Sequence, residues 1–177
     1  MKNVDNRIEL QDMMILSLIT VLLLAIGLAL YSYYFRMKVG PEQPVHFSHR
    51  LHTTEKGISC FFCHEGAVGT ARSGIPPLQT CRLCHEKIIV YHPEIVTLRT
   101  YALENEPVEW VRVQNNVPDF VFFDHSVHIH RKIDCSRCHG NVREMDRIEQ
   151  INEFDMNFCI TCHRSEGATN DCFTCHR

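Results

Sequence analysis

The 177-residue chain carries 18 Lys plus Arg against 21 Asp plus Glu, for a formal net charge of −3, and it contains 12 histidines and ten cysteines. A net-acidic chain gives nucleic-acid binding no support. Ten cysteines in a chain of this size mean that sulfur chemistry organises the fold, through disulfides, metal or a covalent cofactor.

Met13 to Phe35, MMILSLITVLLLAIGLALYSYYF, is 23 residues without a charge. At about 1.5 Å per residue it reaches about 34 Å, enough to cross a hydrocarbon core of about 30 Å. A secretory signal has a shorter apolar run and a small-residue cleavage site. Gly27-Leu28-Ala29 is a conceivable site, but the run continues past it, so residues 1–38 are expected to be a cytoplasmic tip and an uncleaved transmembrane anchor. Tyr31, Tyr33 and Tyr34 would form an aromatic belt at its outer end. Lys2 and Arg7 before the span balance Arg36 and Lys38 after it, so charge alone does not orient it.

Gly40, Pro41 and Pro44 turn the chain. From there one pentapeptide, C-x-x-C-H, recurs five times and uses every cysteine: Cys60, Cys63, His64; Cys81, Cys84, His85; Cys135, Cys138, His139; Cys159, Cys162, His163; and Cys172, Cys175, His176. Positions i, i+3 and i+4 share one helix face, so two thiols can bond the vinyl groups of a porphyrin while the imidazole reaches its iron. The pattern reads as covalent attachment of five haems c. Zinc ribbons need two cysteine pairs per metal, and five pairs leave a remainder. A thioredoxin-like pair would appear once, and disulfides give no reason for a His after every second cysteine. Covalent haem attachment takes place outside the cytoplasmic membrane, which puts residues 39–177 on the extracytoplasmic side of a bacterial inner membrane.

The 139 residues beyond the anchor give 139/5, about 28, per haem, too few for private pockets in so small a domain. The haems must then form much of each other's core. Residues 39–177 hold 14 Lys plus Arg and 18 Asp plus Glu, 14 − 18 = −4.

An internal repeat divides this region. Phe47-Ser48-His49-Arg50-Leu51-His52 precedes the first two motifs, and Phe123-Asp124-His125-Ser126-Val127-His128 precedes the third and fourth. His49 to Cys60 is 11 residues and His125 to Cys135 is 10, the sign of a duplicated two-haem module. The expected divisions are 39–86, a linker over 87–122, 123–164, and a fifth haem over 165–177. In the linker, 87–100 has helical character interrupted by Pro93. Residues 107–123 have strand-like valines and aromatics around a turn at Asn115-Asn116. Trp110 fills space, and Gly66, Gly69, Gly74, Pro76 and Pro77 mark loops. The fold class is a multihaem cytochrome c, mostly irregular, with short α-helices around five closely packed haems and one N-terminal transmembrane helix.

Each pentapeptide supplies one axial ligand: His64, His85, His139, His163 and His176. The repeat supplies His49, His52, His125 and His128 as distal ligands, since two imidazoles three residues apart project from one turn toward two haems. His46 and His130 stand outside the repeat. One iron is left over, with Met145, Met156 or His92 as candidates, and a thioether would raise its potential. The expectation is four bis-histidine haems and one His/Met haem. The fifth motif is expected to be the least enclosed, a place where electrons enter or leave.

F-x-H-x-x-H followed by C-x-x-C-H resembles cytochrome c7 and class III cytochrome c modules. PVHFSHRLH at 44–52, GIPPLQTCRLCH at 74–85, VEWVRVQNNVPDFVFFDHSVH at 108–128, CSRCHGNVREMDRI at 135–148 and MNFCITCHR at 156–164 resemble the pentahaem, single-span subunit family of alternative complex III. That resemblance implies an electron-transfer subunit that does not itself oxidise quinol. It implies partners as well: an iron–sulfur subunit, multi-span quinol-binding subunits, and a monohaem cytochrome c or oxidase as acceptor. Two other functions fit the same motifs: a small quinol dehydrogenase with one open-site haem, and a multihaem reductase with a five-coordinate iron.

Overall fold

The structure, a computed structural model, describes residues 2–38, 40–113 and 117–176, with side chains described at 11–34, 40–113 and 117–176. Asn115 and Asn116, at the expected turn, lie outside them. The chain forms two units, Met1–Val39 and Gly40–Arg177.

The first unit is one helix, α1, Lys2–Lys38. Its stretch Gln11–Tyr34 has a mean hydropathy of 2.8, and none of it is buried in the protein. By length and composition that stretch can cross a membrane. The hydroxyls of Ser17 and Thr20 donate to the carbonyls of Met14 and Leu16, so neither polar group would face lipid unpaired. Helix continues without a break through Gly27-Leu28-Ala29.

The second unit is built of short helices joined by irregular chain: a π-helical turn at Arg50–Glu55, then α2 Cys60–Cys63, α3 Gly66–Gly69, α4 Leu78–His85, α5 Pro93–Glu104, α6 His125–His130 and α7 Ser136–His139. A 3-10 turn at Val142–Glu144, α8 Met156–Ser165 and α9 Cys172–Cys175 complete it. Every C-x-x-C-H sits on or overlaps one of these turns. The sequence starts them with side-chain caps. Ser59, Asp124, Asp155 and Asp171 accept from the backbone N–H groups of Phe61, Ser126, Phe158 and Thr174, satisfying donors that a helix start leaves unpaired.

Two expectations for the linker change. Pro93 does not interrupt a helix; it begins α5 at its first position, with His92 as the cap, where a missing N–H costs nothing. The valines of 107–123 form no strand among the described residues. Gln43 takes the role of a strand partner, its Nε2 donating to the Val111 carbonyl at 2.9 Å and its Oε1 accepting from the Val111 N–H at 2.9 Å. Nearby, the His46 N–H donates to Glu94 at 2.7 Å. An isolated antiparallel bridge joins Val121 to His176. Gly66 and Gly69, expected in a loop, bound the one-turn helix α3.

Among the described residues the polypeptide buries four hydrophobic side chains, Val45, Ala67, Ile95 and Leu98. A domain this long normally buries far more of its apolar surface. The packing that positions the motifs is reciprocal between the two repeats. The π-turn of the first packs on the 3-10 turn that follows the third motif, and α6 of the second packs on α3, which follows the first motif. Gly40 lies where a Cβ would overlap the Ile148 carbonyl, and Gly140 has φ +70° with Ile151 against its α-carbon, so neither position accepts a side chain without displacement.

Candidate haem-binding sites

The two F-x-H-x-x-H copies fold onto themselves in the same way. Phe47 stacks on His52 at 4.3 Å and meets His49 edge-on at 4.9 Å, while Phe123 lies 4.7 Å from His128 and 4.8 Å, edge-on, from His125. The repeated phenylalanine therefore fixes the rotamers of both imidazoles, a role the motif's spacing gave no reason to assign.

Each described pair brings one repeat histidine to one motif histidine. His52 and His85 have ring centroids 6.1 Å apart, His125 and His139 6.3 Å, and His128 and His163 6.1 Å. A centroid lies about 1.1 Å from its ligating nitrogen and a metal–imidazole bond is about 2 Å, so two rings on opposite sides of one iron should stand roughly 6 Å apart. His49 is near His64, and burial together with that neighbour and His52 pushes the His49 imidazole down to about 4. Burial, first among several causes, lowers His85 and His139 as well. These histidines are held neutral, the form that ligates metal.

The tautomer is set by backbone carbonyls, which can only accept. Nδ1 of His52, His64, His125, His128 and His163 donates to the carbonyls of Ser48, Gly74, Ala71, Asp124 and Thr169 at 2.7–2.9 Å. That leaves the Nε2 lone pair of each free for iron. The bond from His125 to Ala71 crosses between the repeats. His130 makes the same kind of bond, to Ser126. His92 does the reverse: its Nδ1 accepts from the Glu94 N–H at 3.3 Å, which places the proton on Nε2 and removes that lone pair.

The ten thiols are unpaired. Burial raises Cys63, Cys81, Cys135, Cys138 and Cys159, and each also feels thiols of its own or another motif. Across motifs the neighbours are Cys63 with Cys81, Cys60 with Cys135, Cys138 with Cys159 and Cys162, and Cys159 with Cys175. Among the described residues no three His, Cys, Asp or Glu side chains converge as a metal ion would require, which disfavours zinc ribbons. Thiols at i and i+3 with paired, tautomer-fixed imidazoles fit haem c.

The fifth motif differs. Among the described residues no histidine ring faces His176; the Phe120 ring lies 5.9 Å away and 23° from parallel. The Phe122 N–H donates to Cys175 at 2.6 Å. Of the candidate thioethers, Met145 belongs to the segment beside the first repeat, its carbonyl accepting from the Arg50 N–H at 3.1 Å. Met156 starts α8, three residues before Cys159, and its side chain is 65% exposed.

Residues 121–177 match the family described as cytochrome c7 and related cytochrome c. The chain is thus similar, over its second repeat and fifth motif, to multihaem cytochromes c, in which the cofactor implied is covalently bound haem c. It is also 29% identical, with 77% of each chain covered, to the menaquinone reductase multihaem cytochrome c subunit of Nitratidesulfovibrio vulgaris strain Hildenborough.

Proposed function

We propose that this protein is a membrane-anchored pentahaem c-type cytochrome that relays electrons within a quinol-linked complex of the bacterial inner membrane, with α1 as anchor and residues 40–177 on the extracytoplasmic side. The observation that carries the reading is the set of three histidine pairs at 6.1–6.3 Å, each joining one repeat histidine to the histidine of one motif. Haem c bound there supplies a one-electron iron couple. The chain's own contribution would be to offer two imidazoles to each of four irons and His176 with a thioether to the fifth, which would leave no position for substrate and makes the chain an electron-transfer subunit rather than the catalyst. That coordination also weighs against an open-site quinol dehydrogenase and against a multihaem reductase. The apolar run that continues to Phe35, past Gly27-Leu28-Ala29, supports an anchor over a cleaved signal.

The fifth iron takes His176 and, of the open candidates, Met156. Supporting this are the position of Met156 in the element whose Cys159 neighbours Cys175, the attachment of Met145 to the other repeat, and the tautomer of His92.

Two directions of flow are compatible with this coordination. In the alternative complex III reading, electrons leave quinol through multi-span and iron–sulfur subunits and pass through this chain to a monohaem cytochrome c or oxidase. The relative from N. vulgaris is named a menaquinone reductase subunit, which favours the opposite direction, from an extracytoplasmic donor to the quinone. Purifying the membrane complex, measuring its haem-to-subunit ratio, and adding either a menaquinol analogue or a reduced small cytochrome decides between them. A ratio below five haems c in this subunit rejects the pentahaem assignment.

A further inference from the structure

We propose that the haems stand in single file in the order second, first, third, fourth, fifth, so that the first and third adjoin across the two repeats and Arg143 lies at that junction. The inference deepens the relay reading and rests on it.

Two sets of contacts join the repeats, π-turn to 3-10 turn and α6 to α3, and both lie beside the first and third motifs. Arg143, four residues past His139, sends its Nη2 to within 3.9 Å of Cys60 Sγ. Its carbonyl accepts from the hydroxyls of Thr53 and Thr54 at 3.3 and 2.9 Å, on the π-turn next to the distal histidines of the first repeat. In return, His125, whose ring faces the third motif, donates to Ala71, just beyond the first motif. The segments after motifs one and three are therefore each clasped by the other repeat's histidine turn. That reciprocity turns the first and third attachment sites toward each other, and Cys60 and Cys135 feel one another accordingly.

The remaining links are local. His49 and His52 share one turn, His52 faces His85 at 6.1 Å, and Cys63 neighbours Cys81, so the second haem flanks the first. Arg137, inside the third motif, lies 3.9 Å from Cys162 Sγ and pairs with Glu166 at 3.2 Å, joining the third motif to the fourth; His125 and His128 share α6 above the same pair. The fourth and fifth motifs are joined by a short segment that folds back on the fourth, Nδ1 of His163 donating at 2.7 Å to the carbonyl of Thr169, three residues before Cys172, and Cys159 feels Cys175. Among the described residues no hydrogen bond joins the second motif to the third. The ends of the file are the second and fifth haems, and a chain read in sequence order would instead end at the first.

A cation beside a porphyrin disfavours the oxidised, more positive iron, so each guanidinium would raise the potentials of haems attached at the motif it belongs to or follows and at the thiol it reaches. Arg137 is partly offset by Glu166 at 3.2 Å; Arg143 forms no close ion pair among the described residues, though, behind the hydrogen bonds from Ser136, its charge helps to lower Asp134.

The test is a redox titration of the full chain in detergent, followed by NMR signals assigned to individual haem methyl groups. The expected result is that oxidation of haem one shifts the midpoints of haems two and three more than any other, and that haems two and three barely interact. A direct two–three interaction exceeding one–three overturns the order. Arg143→Gln should lower the midpoints of haems one and three, leave two and five in place, and be restored by Arg143→Lys; unchanged midpoints in the Gln variant, with all haems attached, overturn the role of Arg143. Failure of haem attachment in the wild-type chain, read from the haem-to-protein ratio, would overturn the relay reading itself.

Discussion

His125 and His139 face each other with ring centroids 6.3 Å apart and planes only 9° from parallel. One belongs to the second repeat's histidine turn and the other closes the third C-x-x-C-H, and the Nδ1 proton of His125 is committed to Ala71 of the first repeat. The pair thus ties a proposed axial ligand to the packing between repeats.

His125→Ala should turn one haem high-spin and leave the others low-spin, seen as a new high-spin signal in the EPR spectrum of the oxidised protein. An unchanged spectrum would remove the pairing argument. His130→Ala, despite its ligand-like Nδ1 bond, should alter no haem, because i and i+2 on a helix point apart and His128 already serves the fourth motif.

Met156→Ala should abolish any thioether-to-iron charge-transfer band in the near infrared and convert one haem to high spin, whereas Met145→Ala should preserve both signatures. Met156→His should restore a low-spin haem with a lower midpoint. A band that survives Met156→Ala and disappears in Met145→Ala would reverse the assignment.

Removing Phe123 tests the rotamer clamp. With Phe123→Leu the two imidazoles of α6 lose a tilted and an edge contact, worth about 0.5–1.5 kcal/mol each beyond buried area. The expected outcome is a lower thermal midpoint with low-spin haems retained, and a broadened EPR envelope for the two haems served by α6.

Gln43→Ala removes both hydrogen bonds that hold Val111, at roughly 0.5–1.5 kcal/mol each. Thermal unfolding should shift downward while the haem spectrum stays as it was. A matching loss of low-spin signal would mean that this linker contact also positions a ligand.

The histidines held neutral by burial give a pH dependence of defined sign. His49 binds its proton near pH 4 in the folded chain but near 6.5 when unfolded, so between those values the unfolded state binds more protons and stability falls as pH is lowered. Thermal unfolding should therefore shift downward as the pH is lowered through that window.

Local chemistry was legible in the sequence because it is short-range. Cysteines at i and i+3 with a histidine at i+4 share a face of any helical turn, and the F-x-H-x-x-H repeat announced paired imidazoles before any partner was in view. The apolar run 13–35 declared its helix by length alone. Tertiary structure decided what depends on distant residues: which repeat histidine faces which motif, that Gln43 and not a strand completes Val111, that Pro93 begins a helix, and that Met145 and Met156 lie beside different parts of the fold. The tautomers belong to this second group as well. Whether a ring nitrogen donates to Ala71 or accepts from Glu94 depends on which backbone group lies beside it, and for His125 that carbonyl is 54 residues away in the chain.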